Sequence, residues 1–205
     1  MVKDKLKIIV ADDHCLFSES LKMNIENTLK YNVVALVKNG IELLKILEST
    51  SCDFILMDIM MDEMDGITAT KIISKKYPNI NIIGISMYKE QIFILDMLQA
   101  GAKGFLSKDF HSTDLFNAIN IISDGNLYFT SDILKCSNEK FKLTIEESNV
   151  INLVADGSSS KEISRKLLIG IRKIEKIKSN LVKKFGARNI PNLIKLATIR
   201  KKIRI

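Results

Sequence analysis

The chain reads as an α/β protein: a doubly wound parallel sheet of five strands, followed by a smaller all-α unit. Three observations predict this. Through the first 125 residues, five short runs rich in Ile, Val, Leu and Phe alternate with segments of helical apolar spacing. That alternation is the pattern of βαβ units and a parallel sheet. The period is lost over residues 125–142 and resumes as purely helical. Charge divides at the same place. Residues 1–125 carry 13 Lys, no Arg and 17 acids (net −4), and residues 126–205 carry 13 Lys, 5 Arg and 7 acids (net +11), together the +7 of the chain. Such a split points to two domains, the basic one facing a polyanion.

The candidate strands are residues 6–11, 33–37, 53–57, 80–86 and 104–107. Between them, Leu16, Leu21, Ile25 and Leu29, then Ile41, Leu44 and Leu47, set the spacing of helices expected to pack on the sheet. A last helix over 112–124 stops at Asp124-Gly125-Asn126. Five units of this kind fit the flavodoxin-like strand order. Residues 126–141 read as a linker containing one helical turn.

In the second unit, Thr144 with Glu147 and Ser159 with Glu162 form capping boxes, in which each partner satisfies an amide that the first helical turn leaves unbonded. They open two helices, the second running into Ile163, Leu167 and Leu168. After Leu168-Ile169-Gly170, a third helix over 171–185 carries Ile174, Ile177, Leu181 and Phe185 at core spacing. A fourth covers 190–202. This is a helix-turn-helix arrangement, so the expected domains are 1–125 and 142–205.

Composition excludes several classes. With 46% apolar and 27% charged residues, the chain has the content of a folded globular protein rather than a disordered one. No apolar run approaches the roughly 20 residues that span a bilayer, and acids interrupt the short apolar run near the start, against a signal peptide. Cys15, Cys52 and Cys136 are odd in number and lack CxxC spacing. They indicate a reducing cytoplasm and argue against a disulfide framework or a zinc site.

Function is most legible at the strand ends. Asp12 and Asp13 follow the first run, Asp58 the third, Ser86 the fourth and Lys108 the fifth. In an open parallel sheet those ends share one edge, where ligands bind at the switch in strand order. Three carboxylates, a hydroxyl and an ammonium meeting there suit a divalent cation and a phosphoryl group. Crowded carboxylates repel without a cation, which weighs against the residues being mere caps and turns.

The runs IIVADDH, ILMDIMMDEMDG, GISMYKE and GAKGFLSK, in this order over residues 5–125, resemble the receiver domain of two-component response regulators. The stretch LTIEESNVINLVADGSSSKEISRKLLIG with SNLVKKFGARN, within residues 142–200, is similar to the LuxR-type helix-turn-helix of the NarL class. The resemblance implies that a sensor histidine kinase phosphorylates Asp58, with Mg2+ held by Asp13, Asp58 and the carbonyl of Met60. Asp12 would hold a metal-bound water. Lys108 and Ser86 would contact the phosphoryl oxygens, and Phe105 would be the switch aromatic. It also implies a homodimer on phosphorylation, binding to double-stranded DNA, and no enzyme activity beyond self-directed phosphoryl transfer and hydrolysis. Asp62 stands where the family has a proline, which suggests a looser loop.

In the third helix of the basic half, Arg172, Glu175, Lys176, Ser179 and Lys183 face away from the apolar stripe, as a helix entering the major groove requires. Lys161, Lys173, Lys178 and Lys184 are placed to meet phosphates. By family position, Glu175, Lys176 and Ser179 would read base edges. Gly170, Lys173, Glu175 and Ile177 depart from the family pattern here. One alternative is therefore a phospho-dependent interaction module whose helix-turn-helix binds no specific DNA. Another is a magnesium-dependent phosphatase or phosphotransferase, although no separate general acid is evident.

Overall fold

The computed structural model describes residues 5–130 and 143–199. They fall into two compact units.

The first unit alternates strand and helix without interruption: β1 (Leu6–Ala11), α1 (Cys15–Glu26), β2 (Tyr31–Val37), α2 (Gly40–Ile46), β3 (Phe54–Asp58), α3 (Gly66–Lys76), β4 (Asn81–Ser86), α4 (Gln91–Ala100), β5 (Gly104–Ser107) and α5 (Ser112–Ser123). All ladders are parallel, in the order β2-β1-β3-β4-β5. The predicted doubly wound sheet is therefore present, with its switch in strand order between β1 and β3.

Strands buried on both faces have no polar side to show, which is why they read as unbroken apolar runs. One face carries Ile8, Val10, Phe54, Leu56, Ile83, Ile85 and Leu106 against Leu21 and Ile25 of α1 and Leu115, Ala118, Ile119 and Ile122 of α5. The opposite face carries Ile9, Ile55 and Met57, and Gly84 there admits Met97 of α4 and the ring of Phe105.

Two helical stripes follow the predicted ones only in part: Leu21, Ile25 and Leu47 are buried as expected, and other members are not. In α1 the buried positions are Ser18, Leu21 and Ile25, while Leu16 is 85% exposed and Leu29, beyond the helix, 86%. Leu16 lies five residues before Leu21, about 140° away around a helix of 3.6 residues per turn. In α2 the buried residues are Gly40 and Leu43, with Leu47 following them; Ile41 is half exposed. Residues after α5 also stay with the sheet: Tyr128 donates its N–H to the carbonyl of Lys103 (2.9 Å) and accepts from Phe105 (3.1 Å). The helical turn expected further along the linker lies outside the described residues.

The second unit contains α6 (Ile145–Ala155), α7 (Ser160–Leu167), α8 (Ile171–Phe185) and α9 (Ile190–Ile199). Both capping boxes are formed, Thr144 with Glu147 and Ser159 with Glu162. Ile174, Ile177, Leu181 and Phe185 are buried as the spacing predicts, together with Val150, Ile151, Ile163, Leu193 and Leu196. Leu168 is the exception. It caps α7 in the left-handed conformation (φ 55°) and is 93% exposed, because the chain turns there instead of continuing the helical face.

Candidate functional site

The strand registers build the site. β1 ends at Ala11 beside Met57, so Asp12 and Asp58 leave adjacent strands at the same level. Asp58 pairs with Ile85 and Ser86 with Ser107, which brings Ser86 and Lys108 to the same edge. The Lys108 N–H donates to the Ser86 carbonyl at 2.8 Å.

Lys108 is the centre of the cluster. Its Nζ lies 2.6 Å from Asp12 Oδ2 and 2.7 Å from Asp58 Oδ2, with all three side chains nearly solvent-free. The ammonium also sits 4.9 Å from the centre of the Phe17 ring. Burial pulls the Lys108 pKa down, but its hydrogen bonds to Asp12 and Asp58 outweigh that and leave it raised. Burial pushes the Asp58 carboxyl up to about 6; the Lys108 hydrogen bond pulls it back, and the Asp12 charge adds to the rise.

The other predicted residues are placed as follows. Asp13 is partly exposed, yet its Oδ1 is shielded and accepts no hydrogen bond among the described residues. The Met60 N–H donates to Asp58 Oδ1 at 3.3 Å. Ser86 is fully buried and its Oγ accepts from the Tyr88 N–H at 3.1 Å. Phe105 is half-buried, its ring reaching over Gly84. At Asp62, the Met64 N–H donates to the carbonyl at 2.6 Å, and Glu63 is left-handed at φ 58°.

Sequence reasoning missed His14. It begins α1 as an extended N-cap residue, which swings its ring back to the cluster, and its Nδ1 lies 2.7 Å from Asp13 Oδ1. Asp12, Asp13, His14 and Asp58 each offer a ligand atom within 4.8 Å of the others. A shielded, unbonded carboxylate oxygen among oxygen donors fits a hard divalent cation.

The raised Asp58 pKa has a stability consequence. A carboxyl whose pKa is higher folded than unfolded contributes stability that is complete below the unfolded value, near 4, and is lost as pH rises through the folded value. Between pH 4 and 7 in a chelator, the first unit should lose on the order of 2 kcal/mol from this group. Asp58→Asn should remove that slope and be the more stable protein at pH 7. Denaturant titrations of both across this range test it; parallel pH profiles would refute the assignment.

In the second unit, Arg172, Lys176, Ser179 and Lys183 of α8 are exposed, as is Lys161 of α7. Other basic groups there are engaged: Lys173 with Glu146 (2.7 Å), Lys184 with Glu147 (2.8 Å) and Lys178 with Glu175 (3.4 Å). Glu175 also accepts from the Ser160 hydroxyl, a bond that holds its carboxyl below the usual range.

A parallel sheet with acids and a buried lysine at its carboxyl edge, followed by a helix-turn-helix, defines a signalling regulator of transcription. Residues 8–120 match the response regulator receiver domain, and residues 142–197 the luxR family of bacterial regulatory proteins. The chain therefore belongs to the two-component response regulators of the NarL class, a receiver domain joined to a LuxR-type DNA-binding domain. It is 30% identical to the transcriptional regulatory protein YdfI of Bacillus subtilis, over 93% of this chain and 94% of that one. It is 32% identical to the transcriptional regulatory protein YhcZ of the same organism, over 87% and 89%. Among solved structures, it resembles RcsB of Salmonella enterica serovar Typhimurium bound to the promoter P1flhDC in the presence of phosphomimetic BeF3− (TM-score 0.81, 25% identity, 96% of this chain and all of that one). No described helix is long and apolar enough to cross a membrane.

Proposed function

We propose that a sensor histidine kinase phosphorylates this regulator on Asp58 and that the phosphoryl group controls dimerisation and DNA binding in the cytoplasm. The observation that carries this reading is Lys108, a buried ammonium bridging Asp12 and Asp58 at the sheet edge. With a pKa near 6, Asp58 is mostly carboxylate at neutral pH and competent as a nucleophile. An Asp58 oxygen attacks phosphorus, the bond to the donor histidine nitrogen breaks, and its electron pair leaves with the imidazole. Mg2+, held by Asp13, Asp58 and the Met60 carbonyl with Asp12 behind a water, would supply the charge that offsets repulsion between carboxylate and phosphoryl group.

Lys108 then exchanges a carboxylate oxygen for a phosphoryl oxygen. The Ser86 oxygen already accepts from Tyr88, so its own proton is free to donate to the phosphoryl group. Movement of Ser86 draws Phe105 inward and shifts the balance between two states of the domain. This is phosphoryl transfer to the protein itself, with no external substrate turned over. For the basic domain, α8 would enter the major groove, as the likeness to promoter-bound RcsB suggests. Lys161, Arg172, Lys173 and Lys183 would meet DNA, with Glu175, Lys176 and Ser179 toward the bases.

The internal pairing of Glu175, Lys173 and Lys184 favours one rival: a module that binds protein rather than specific DNA. Selection from a random duplex pool, with Mg2+ and acetyl phosphate present or absent, separates the two. An enriched sequence of two half-sites that needs the phosphodonor is expected. Folded protein that enriches nothing in either condition would leave the interaction module.

A further inference from the structure

We propose that Glu175 is a base-selecting residue that prefers cytosine in the major groove, aimed by Ser160 and Lys178. The inference rests on the DNA-binding reading above and concerns which base the helix-turn-helix selects.

The three residues form a link across the two helices of the motif. Ser160 opens α7, and its hydroxyl donates to Oε1 of Glu175 in the first half of α8. Lys178, three residues further along α8, donates to the same oxygen at 3.4 Å and to the Ser160 hydroxyl at 3.0 Å. Its side chain is only 19% exposed, against 55% for Glu175. The ammonium is thus engaged within the domain, and Lys178 acts as a positioning residue rather than as a phosphate contact. Both bonds to Glu175 fall on Oε1, while Oε2 accepts none among the described residues. Glu175 stands three residues after Arg172 and four before Ser179. These three exposed residues therefore share one face of α8, and Ile174, Ile177, Leu181 and Phe185 are buried on the other.

A carboxylate on that face chooses its base by charge. It accepts hydrogen bonds and cannot donate one. In the major groove cytosine shows an amino donor, guanine only acceptors, and thymine a carbonyl oxygen and a methyl group. Adenine sets its amino donor beside the N7 acceptor, so a carboxylate drawn to one is repelled by the other. Cytosine is the base it meets without that penalty. The Ser160 hydrogen bond, with the Lys178 charge beside it, holds the Glu175 carboxyl below its usual range and so ionised at neutral pH. Lys178 also offsets part of a charge that would otherwise repel the phosphate backbone.

The test uses the full-length protein with Mg2+ and acetyl phosphate. Sites are selected from a random duplex pool by wild type, Glu175→Ala and Glu175→Gln, and affinities for their single-base variants are read by fluorescence anisotropy. Wild type should enrich a half-site containing one cytosine whose replacement by thymine weakens binding by about tenfold. Glu175→Ala should bind with no preference at that position. Glu175→Gln should shift the preference to adenine, whose N6 and N7 an amide can bond together. Ser160→Ala and Lys178→Met should reduce the cytosine preference; a purely structural link would instead lower their melting temperature and leave base preference intact. The same site selected by wild type and Glu175→Ala would overturn the inference and leave DNA binding standing. Folded wild type that enriches nothing would overturn the DNA-binding reading, and this inference with it.

Discussion

Asp58→Ala takes up no phosphate from acetyl phosphate or from a phosphorylated kinase, while wild type incorporates about one per chain. The expectation follows from where the alternatives stand. Asp12 is the other buried carboxylate on Lys108, but it lies one strand away and its Oδ1 accepts the His14 N–H. Asp13 is partly exposed, and among the described residues its ion-pair partner is the His14 ring rather than an ammonium. Asp58 ends β3 with its carboxylate buried, 2.7 Å from the Lys108 ammonium, and burial pushes its pKa up to about 6, which keeps its oxygens basic. A covalent intermediate needs its nucleophile, so the loss should be complete rather than partial. Acid-labile label retained on the folded Asp58→Ala protein would sink the assignment. The variant should fold at least as well as wild type, because it removes one of two carboxylates sharing a single buried cation.

How much of this was readable in advance depends on the range of each interaction. The strands and their order of appearance were legible because two-sided burial writes a continuous apolar run into the chain. The capping boxes at Thr144 and Ser159 were legible because both partners lie within four residues. The convergence of Asp12, Asp58, Ser86 and Lys108 followed from topology, since parallel strands share their carboxyl edge. Phase around a helix was less accessible. Leu16 and Leu29 joined the predicted α1 stripe on apolarity alone, whereas Ser18, a polar residue whose hydroxyl donates to the His14 carbonyl at 3.1 Å, holds the buried position.

Long-range pairing was invisible. Lys173 reaches Glu146 across 27 residues and Lys184 reaches Glu147 across 37, and no local pattern signals either. These two lysines were expected to meet phosphates; any contact they make with DNA must compete with a carboxylate already in hand. His14 was missed for another reason. Its place beside Asp13 depends on the extended backbone just before α1, a feature of one φ/ψ pair rather than of residue type.

Gly66→Ala should destabilise the receiver domain by about 3 kcal/mol or more, the upper range for forcing an atom into a packed site. A Cβ at Gly66 would stand 1.9 Å from the carbonyl oxygen of Asp58 and 2.9 Å from Met57 Cγ. The first contact is the decisive one, because backbone of β3 cannot move aside without breaking its pairing to β1 and β4. The start of α3 would have to withdraw instead. That movement loses the bond from the Gly66 N–H to the Ile59 carbonyl (3.0 Å) and drags on the Asp65 cap, whose Oδ1 accepts from the Thr68 N–H (2.8 Å). It would also shift Asp58 against Lys108, so surviving protein should be phosphorylated more slowly than wild type. Gly170 supplies the control. It has ordinary backbone angles (φ −61°) and no atom within 4 Å of its Cβ position, so Gly170→Ala should cost less than about 1 kcal/mol. Guanidinium unfolding of the two variants measures the contrast. Equal, small losses would show that α3 can draw back from Asp58 at little cost, and that the close approach at Gly66 does not hold the site in place.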